Sequence, residues 1–255
     1  MESFETVFFR DNVREAVVLP VSEEVPLTID LNGSELATLL CSPAHIRNLV
    51  TGFLYTSGLL QRMESIRSLI VDREHWKVLV EMQGDGLGES VVFKRVYTSG
   101  CGKGVLFHNP IDLIGWFRLD DDFRASEKDI FNLMKTFQKQ SQEHTLTRGV
   151  HSAALASTDE ILIFRDDIGR HNAIDKVIGE ALDAGVGFLG KILLTSGRIS
   201  SEILSKVLRC RMPMIAAAGA PTNQAVKIAR QMNITLLGRV RGSRMIVYSG
   251  DERIR

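Results

Sequence analysis

The hydrophobic positions in the first half of the chain fall in short runs separated by turn residues, a pattern typical of strands. The runs Pro26–Leu31 and Glu35–Leu40 flank Asn32-Gly33, a pair that strongly favours a two-residue hairpin turn. Further strands are predicted at Ile66–Asp72, Trp76–Met82 and Ser90–Val96. The first part of the chain is therefore predicted to be β-rich.

One helix interrupts these strands. Ser42 is the predicted N-cap, Pro43 the first helical residue, and Gly58 the residue that ends the helix. The apolar positions between them keep the helical spacing i, i+3, i+4, i+7, i+8. This predicted buried stripe consists of Ile46, Leu49, Val50, Phe53 and Leu54.

The second half alternates strands with helices of 10 to 12 residues, which indicates a largely parallel sheet covered on both faces. Ser126 with Asp129 forms a capping box that opens a preceding helix through about Gln142. The predicted strands are Val150–Ala156, Ile161–Arg165, Ile192–Thr195, Met214–Ala218, Ile234–Leu237 and Met245–Tyr248. The predicted helices are Asn172–Asp183, Ser200–Arg209 and Thr222–Met232. We place a domain boundary near residue 108, giving a β-rich region 1–108 and an α/β domain 109–255.

The composition mainly excludes certain classes of protein. The chain has 255 residues, 44% of them hydrophobic, and its 31 basic and 31 acidic residues give a formal net charge of zero. Nothing global suggests a protein that binds nucleic acid or a membrane surface, and no apolar run approaches the length of a transmembrane helix. The first residues lack the features of a signal peptide. The three cysteines form no C-x-x-C pair, which favours a reducing, cytoplasmic location, and the spacing of Cys and His predicts no metal site.

Cys101 is the most informative residue. It lies in the glycine-rich run 97–104, directly after the predicted strand Ser90–Val96, and Lys94, Arg95 and Lys103 are close in sequence. Positive charge and free backbone N–H groups favour a nucleophilic thiolate. The local pattern alone fits a reactive cysteine and a cysteine that merely occupies a turn about equally well.

Three strand-to-helix turns carry hydroxyls, glycines and arginines, at residues 166–172, 195–201 and 219–223. Ligands of open α/β sheets bind beyond the carboxyl ends of strands, and arginine forks and helix N-termini suit phosphate. A single such turn is ordinary capping, whereas three on one edge favour an anion-binding site. The candidate residues here are Arg170, His171, Thr195, Ser196, Gly197 and Arg198.

A fourth piece is the segment Arg239–Arg244, which holds three arginines around a glycine after a strand. A solvated charge run is the simpler interpretation, but this arrangement beside the same sheet fits a phosphorylated ligand better. Its candidate binding residues are Arg239, Val240, Arg241, Gly242, Ser243 and Arg244.

Several of these runs together resemble the formate dehydrogenase accessory sulfurtransferase family. The resemblance rests on segments 166–176, 194–202 and 220–222, on 51–58, and on the turn Ser99-Gly100-Cys101-Gly102, in this order along residues 24 to 250. It implies a cytidine-deaminase-like three-layer core in the C-terminal half, without the zinc site of the deaminases, and a smaller β-rich N-terminal region.

The resemblance also implies a function. Members take sulfur from a cysteine desulfurase as a cysteine persulfide and pass it to the bis-guanine-dinucleotide molybdenum cofactor, as formate dehydrogenase requires. They are homodimers. The persulfide cysteine corresponds to Cys101 and the cofactor-binding segment to Arg239–Arg244. The molybdenum cofactor is then a bound client, and whether such a persulfide carrier counts as an enzyme is left open.

The sequence departs from the family at one place. Many members carry a C-x-x-C pair in the loop, and this chain has Cys101-Gly102-Lys103-Gly104. A non-covalent cofactor chaperone therefore remains an alternative to sulfur transfer. A zinc-dependent deaminase is a remote third, because the chain lacks both the H-x-E and the P-C-x-x-C signatures.

Overall fold

The computed structural model describes residues 1–83, the strands 93–97 and 103–107, and residues 118–255. Cys101, on which the predicted sulfur chemistry depends, lies outside the described residues. The described part is a mixed α/β fold with several sheets and six α-helices.

The described residues of the first half form eight strands and one α-helix. They are β1 (Glu2–Arg10), β2 (Val13–Val21), β3 (Val25–Leu31), β4 (Ser34–Cys41), α1 (Ile46–Thr56), β5 (Ile66–Asp72), β6 (Lys77–Met82), β7 (Phe93–Tyr97) and β8 (Lys103–Phe107). The pairs β1–β2 and β7–β8 each form a two-stranded antiparallel sheet. The other four strands form a mixed sheet in the order β4-β3-β6-β5, in which β3 and β6 are parallel.

The predicted hairpin at Asn32-Gly33 is confirmed: β3 and β4 pair antiparallel, and both turn residues have positive φ. The predicted start of α1 is wrong. The helix begins at Ile46 after His45, which has a left-handed conformation and gives no side-chain cap. Ser42 does not cap the helix because its hydroxyl accepts a hydrogen bond from the Ile168 N–H instead, at 3.1 Å. The predicted end is confirmed, since Gly58 follows the helix with φ +85°.

The second half contains five helices and six strands. They are α2 (Glu127–Gln140), α3 (Gln142–Thr147), β9 (His151–Ala156), β10 (Ile161–Asp167), α4 (Arg170–Asp183), β11 (Ile192–Thr195), α5 (Ser201–Arg209), β12 (Met214–Ala217), α6 (Asn223–Met232), β13 (Thr235–Arg241) and β14 (Arg244–Ser249). The strands form one sheet in the order β10-β9-β11-β12-β13-β14. The predicted capping box is confirmed, with reciprocal hydrogen bonds between Ser126 and Asp129 at the start of α2.

The prediction of a largely parallel sheet is wrong. Only β11–β12 and β12–β13 are parallel, and the other three pairs are antiparallel. Parallel neighbours need a long crossover, whereas β9 joins β10 through the short turn 157–160 and β13 joins β14 through Gly242-Ser243. The prediction of helices on both faces is confirmed: α4, α5 and α6 pack in one core cluster and α2 in the cluster on the opposite face.

Helix α1 connects the two halves. One of its faces packs on the four-stranded sheet through Ile46, Leu49 and Leu54. Its other face meets α4 so closely that a Cβ atom added at Gly52 or Gly179 would overlap backbone of the opposite helix. The boundary near residue 108 and the likeness to cytidine deaminase stay predictions.

Candidate functional site

The candidate site lies at the edge of the six-stranded sheet where β10, β11, β12 and β13 end. Strand β9 runs antiparallel to β10 and β11, so its first residue, His151, lies at the same edge. The predicted turns 166–172, 195–201 and 219–223 and the Arg239–Arg244 segment all follow strands that end there. The prediction that the three turns share one edge is therefore confirmed, and the Arg239–Arg244 segment, predicted only to lie beside the same sheet, is at this edge too.

Backbone hydrogen bonds join these segments side by side. The Thr222 N–H donates to Ile199 O at 2.9 Å, and the Arg239 N–H donates to Gly219 O at 2.8 Å. A Cβ atom at Gly219 would overlap the Gly197 carbonyl, so glycine is needed for this close approach. The turns thus form one continuous surface with little freedom to move separately.

The Arg239–Arg244 segment presents cations to solvent. Arg239 has φ +53° at an irregularity in the β13–β14 pairing, and such bulges redirect side chains near binding sites. Arg239, Arg241 and Arg244 are exposed, and within the described part of the chain their guanidinium groups have no hydrogen-bond or ion-pair partner. Gly242 and Ser243 complete the exposed turn.

Val240 differs from its neighbours, because its side chain is fully buried in the core beneath the segment. Its carbonyl already accepts a hydrogen bond from Gln138 at 3.3 Å. Val240 therefore supports the arginine turn from inside and offers no side chain to a ligand.

A cavity of about 520 Å³ opens beside the arginine turn. Phe131 of α2 and the three arginines line it, together with Glu127, Ser243, Met245 and Ile246. Cationic forks next to an aromatic and apolar wall suit a ligand that carries both phosphate and a flat ring.

The turn after β11 mixes structural and accessible residues. Thr195 is fully buried, and its Oγ1 accepts a hydrogen bond from the Gly197 N–H at 3.2 Å. Ser196 Oγ accepts from the Ser152 N–H at 2.9 Å and lies 3.3 Å from His151 Nδ1. Arg198 is exposed. Of the four residues predicted to bind a ligand in this turn, the exposed Arg198 and the half-buried Ser196 have side chains that a ligand can reach.

Arg170 and His171 open α4. The Arg170 side chain packs against Gly197, so the turn 166–172 contacts the turn 195–201. His171 Nε2 lies 3.4 Å from both Ser200 Oγ and Glu202 Oε2. Burial, followed by the charges of Lys206 and Arg170, lowers the pKa of His171 to about 3, so this histidine is neutral at physiological pH.

Burial shifts the pKa values of several titratable groups at this edge. Burial lowers the pKa of His151, and the positive charges of Arg170 and Arg198 are among the causes. Burial also raises the pKa of Glu202. The charges of Arg170 and Arg198 therefore act on His151 in addition to its burial.

Two buried ion pairs anchor the edge. The Lys176 ammonium lies 2.6 Å from Asp167 Oδ2, and both side chains are fully buried. Asp167 also accepts hydrogen bonds from the backbone N–H groups of Ser42 and Gly169. The pair therefore fixes the end of β10 and the segment between β4 and α1 in a single network.

The second pair joins three helices. Lys206 of α5 donates to both carboxylate oxygens of Asp175 on α4 at 2.8 Å, and to Thr56 of α1 at 3.0 Å. Sequence reasoning missed both networks. The available signal was Asp175-Lys176, two adjacent charges between the apolar pairs Ala173-Ile174 and Val177-Ile178.

Cys41 and Cys210, the two cysteines in the described ranges, are buried. Burial and the neighbouring Asp167 raise the pKa of Cys41 to about 12, and burial raises that of Cys210. Neither is a thiolate at neutral pH, as their apolar sequence context predicted.

Two negative findings apply to the described ranges alone. No group of three His, Cys, Asp or Glu side chains there could hold a metal ion. None of the helices described combines the length and the apolar character needed to cross a bilayer.

With this fold and edge established, comparison with known proteins assigns the chain to a class. The model of the FdhD/NarQ family matches residues 22–255, and the chain belongs to this family. The resemblance to formate dehydrogenase accessory proteins drawn from the sequence is thereby confirmed.

Individual relatives agree over nearly the whole chain. The protein named Sulfur carrier protein FdhD of Bacillus subtilis (strain 168) is 39% identical over 233 residues, which covers 91% of this chain and 89% of that protein. The protein of the same name from Listeria innocua is 40% identical over 239 residues, covering 92% and 91%. A crystal structure of a protein from Desulfotalea psychrophila, described as a formate dehydrogenase accessory protein, has the same fold with TM-score 0.79, 22% identity and coverage of 100% and 99%.

Proposed function

We propose that this protein is a sulfur carrier in the maturation of formate dehydrogenase. It accepts sulfur from a cysteine desulfurase as a persulfide on Cys101 and passes it to the bis-guanine-dinucleotide molybdenum cofactor. The observation that carries the proposal is the 39–40% identity, over nine-tenths of the chain, to proteins named sulfur carriers.

The burial of the other two cysteines favours Cys101 as the residue that carries the sulfur. Cys41 and Cys210 are buried and held as thiols by raised pKa values. Persulfide transfer requires an accessible thiolate. Cys101, between glycines and near three basic residues in sequence, is the remaining candidate.

The loading step is an exchange at sulfur. The Cys101 thiolate attacks the terminal sulfur of the donor persulfide, the donor S–S bond breaks, and the donor cysteine leaves as a thiolate. A persulfide on Cys101 results, with no net oxidation or reduction. Glycine on both sides of Cys101, at positions 100 and 102, allows backbone conformations that other residues rarely adopt, which suits a cysteine that must meet two partners.

Delivery of the sulfur as sulfide needs an electron pair. A neighbouring loop cysteine could supply it, but this chain has Gly104 at that position. In the proposal an external thiol attacks the inner sulfur of Cys101, a mixed disulfide forms, and the terminal sulfur leaves as sulfide to the metal of the client.

The sheet edge is the proposed binding surface for the client. Arg239, Arg241 and Arg244 suit its phosphates, as bidentate forks with no competing partner in the described structure. Arg170 and Arg198 add positive charge farther along the edge. The size and mixed lining of the adjoining cavity fit one nucleotide half of the cofactor better than the whole of it.

Mass spectrometry after incubation with a cysteine desulfurase and cysteine tests the loading step. We expect the peptide containing Cys101 to gain the mass of one sulfur atom, and the gain to be absent in Cys101→Ala. The matched controls Cys41→Ala and Cys210→Ala should still be loaded. Sulfur on Cys41 or Cys210, or none on any cysteine, would exclude the proposed carrier residue.

The second candidate function is a non-covalent chaperone of the cofactor, which the glycine at position 104 favours. A chaperone would bind the client through the same arginines and would not depend on Cys101. Equal activation of formate dehydrogenase by the wild-type protein and by Cys101→Ala would select this function. The proposal further includes a cytoplasmic location and a homodimer, to be checked by cell fractionation and light scattering.

A further inference from the structure

Helix α2 forms one wall of the cavity beside the arginine turn. Glu127 and Phe131, in the first and second turns of this helix, line the cavity. The other lining residues belong to β13, β14 and the turn between them, more than a hundred residues further along the chain. The shape of the cavity therefore depends on how the start of α2 is held beside that turn.

The segment Asp251–Arg255, which follows β14, runs alongside the residues that lead into α2. The Ala125 N–H donates to Arg253 O at 3.0 Å, and the Arg255 N–H donates to Ala125 O at 3.1 Å. The last bond of this ladder reaches the helix itself, because the Glu127 N–H donates to Arg255 O at 3.2 Å. The first N–H groups of a helix have no partner within it, so the segment supplies an acceptor that the start of α2 needs.

The same segment packs beneath the cavity wall. Ile254 forms a parallel β-bridge with Ala125. Its side chain packs against the same core cluster as Phe131 and Met245, two residues that line the cavity. A shift of the segment would therefore change both the backbone support of α2 and the packing under its apolar wall.

Arg253 holds the segment in place from inside. Its side chain is only 2% exposed, and a buried charge requires partners. Nε and one terminal nitrogen donate to the two carboxylate oxygens of Asp121 at 3.2 and 3.4 Å, and the other terminal nitrogen donates to Asn233 Oδ1 at 3.5 Å. A bidentate pair fixes orientation as well as distance, so Arg253 ties the segment to the residues before α2 and to the end of α6.

The beginning of the segment is fixed separately. Thr235, which is fully buried at the start of β13, donates from Oγ1 to Gly250 O at 2.9 Å. The Arg253 N–H donates to the same carbonyl at 3.3 Å, which closes a short turn. The segment is thus attached at one end to β13 and at the other end to α2.

We propose that Arg253 is a positioning residue of the client site, and that it acts through the segment Asp251–Arg255. The segment holds the start of α2 so that Phe131 contacts the flat ring of a nucleotide whose phosphates bind the arginine turn. Within the described structure Arg253 does not line this cavity, so its effect passes through α2. The inference rests on the proposed function, because it takes the client to bind in this cavity.

A comparison of two ligands by isothermal titration tests this division of roles. Guanosine diphosphate and inorganic pyrophosphate both present two linked phosphates, and only guanosine diphosphate carries a ring for the wall of α2. We expect the wild-type protein to bind guanosine diphosphate about tenfold more tightly, a gain that one stacked base supplies. A wild-type protein without this preference would contradict the proposed client binding, and the inference with it.

The matched variants Arg255→Pro and Arg255→Ala separate the backbone ladder from the side chain. Both remove an exposed side chain, and only proline also removes the N–H that donates to Ala125 O. We expect Arg255→Pro to reduce the preference for guanosine diphosphate at least about threefold, at unchanged affinity for pyrophosphate. Arg255→Ala should keep the wild-type preference. The same preference in both variants, whether kept or lost, would overturn the proposal.

Arg253→Met should have the larger effect. Methionine cannot pair with Asp121, and we expect the preference for guanosine diphosphate to fall to about twofold or less. Loss of folded protein would weaken the binding of both ligands by the same factor, so the ratio separates positioning from general destabilisation. A wild-type ratio in folded Arg253→Met would overturn the role of Arg253. If this variant does not fold, the two Arg255 variants still decide the proposal.

Discussion

Two sets of charges lie in the α/β half of this protein, and they are arranged in opposite ways. Asp167–Lys176 and Asp175–Lys206 are buried, paired and saturated with hydrogen bonds. Arg239, Arg241 and Arg244 are exposed, lie beside a cavity, and have no partner in the described structure. The first set holds α1, α4 and α5 against the sheet, while the second is available to a ligand.

The contrast shows how to separate structural from binding charges. A buried charge left without its partner costs several kcal/mol, so its partner is fixed by folding. An exposed arginine without a partner costs little and gains when phosphate arrives. Substitutions in the two sets should therefore act on different quantities: on unfolding free energy for the pairs and on client affinity for the arginines.

Removal of one member of a buried pair should give the largest effect. Lys176→Met leaves Asp167 buried and uncompensated, and we expect a loss of about 3–5 kcal/mol in the free energy of unfolding. Urea denaturation measures it. The matched control is Lys77→Met, which breaks the half-exposed pair with Asp30 and should cost no more than about 1 kcal/mol. Equal losses would mean that burial does not decide the role of these pairs.

The close contact between α1 and α4 should be the next most sensitive feature. Gly179→Ala adds a Cβ that overlaps the Asn48 carbonyl, so the helices must separate, at a cost of about 2–3 kcal/mol. The control Gly187→Ala adds a Cβ with no neighbour within 4 Å and should leave stability nearly unchanged. If thermal melting cannot tell the two variants apart, the described packing of α1 on α4 is wrong.

Substitution in the arginine turn should spare stability and reduce binding. Arg241→Ala removes one cationic fork, and we expect about a tenfold weaker affinity for guanosine diphosphate, with a shallower salt dependence. Isothermal titration measures it, and Arg67→Ala, an exposed arginine of the other sheet, serves as control. Unchanged affinity in Arg241→Ala would remove this residue from the binding surface.

The buried histidine at the edge should give a smaller, pH-dependent effect. The pKa of His171 is lowered to about 3, below its unfolded value near 6.5. Its contribution to stability is therefore complete above pH 6.5 and declines as the pH falls, because the unfolded chain binds a proton that the folded chain does not. Between pH 6.5 and 5 the slope should be up to about 1.4 kcal/mol per pH unit.

Unfolding curves of wild type and His171→Asn across this range measure that slope. The variant should lose most of it, and the exposed His75→Asn should keep it. A slope that is the same in all three proteins would place its origin elsewhere.

Local signals in the sequence predicted most elements of the fold. The Asn32-Gly33 turn, the capping box at Ser126 and the apolar stripe of α1 are each encoded within a few residues. The prediction of three turns at one sheet edge also succeeded, because the carboxyl end of a strand determines where the following turn lies. The N-terminal hairpin was missed, although its Asp11-Asn12 turn carries the positive φ angles typical of such turns.

Long-range pairing accounts for the failures. Ser42 was predicted to cap α1. Instead its N–H donates a hydrogen bond to Asp167 and its hydroxyl accepts one from the Ile168 N–H, and both partners lie more than a hundred residues away in sequence. The same holds for Lys206 with Thr56. The sheet direction was mispredicted because the short β9–β10 connection was not recognised as a hairpin.

The most direct test of the proposed function measures the transfer of one sulfur atom from Cys101 to formate dehydrogenase. Protein loaded with persulfide is mixed with formate dehydrogenase that lacks the sulfur ligand and with a small thiol, while formate oxidation and the mass of the Cys101 peptide are recorded. We predict that activity appears as the Cys101 peptide exchanges its terminal sulfur for the small thiol in a mixed disulfide. We also predict that Cys101→Ala gives no activity although it still binds guanosine diphosphate. Full activation by Cys101→Ala would contradict sulfur transfer and leave a non-covalent escort of the cofactor.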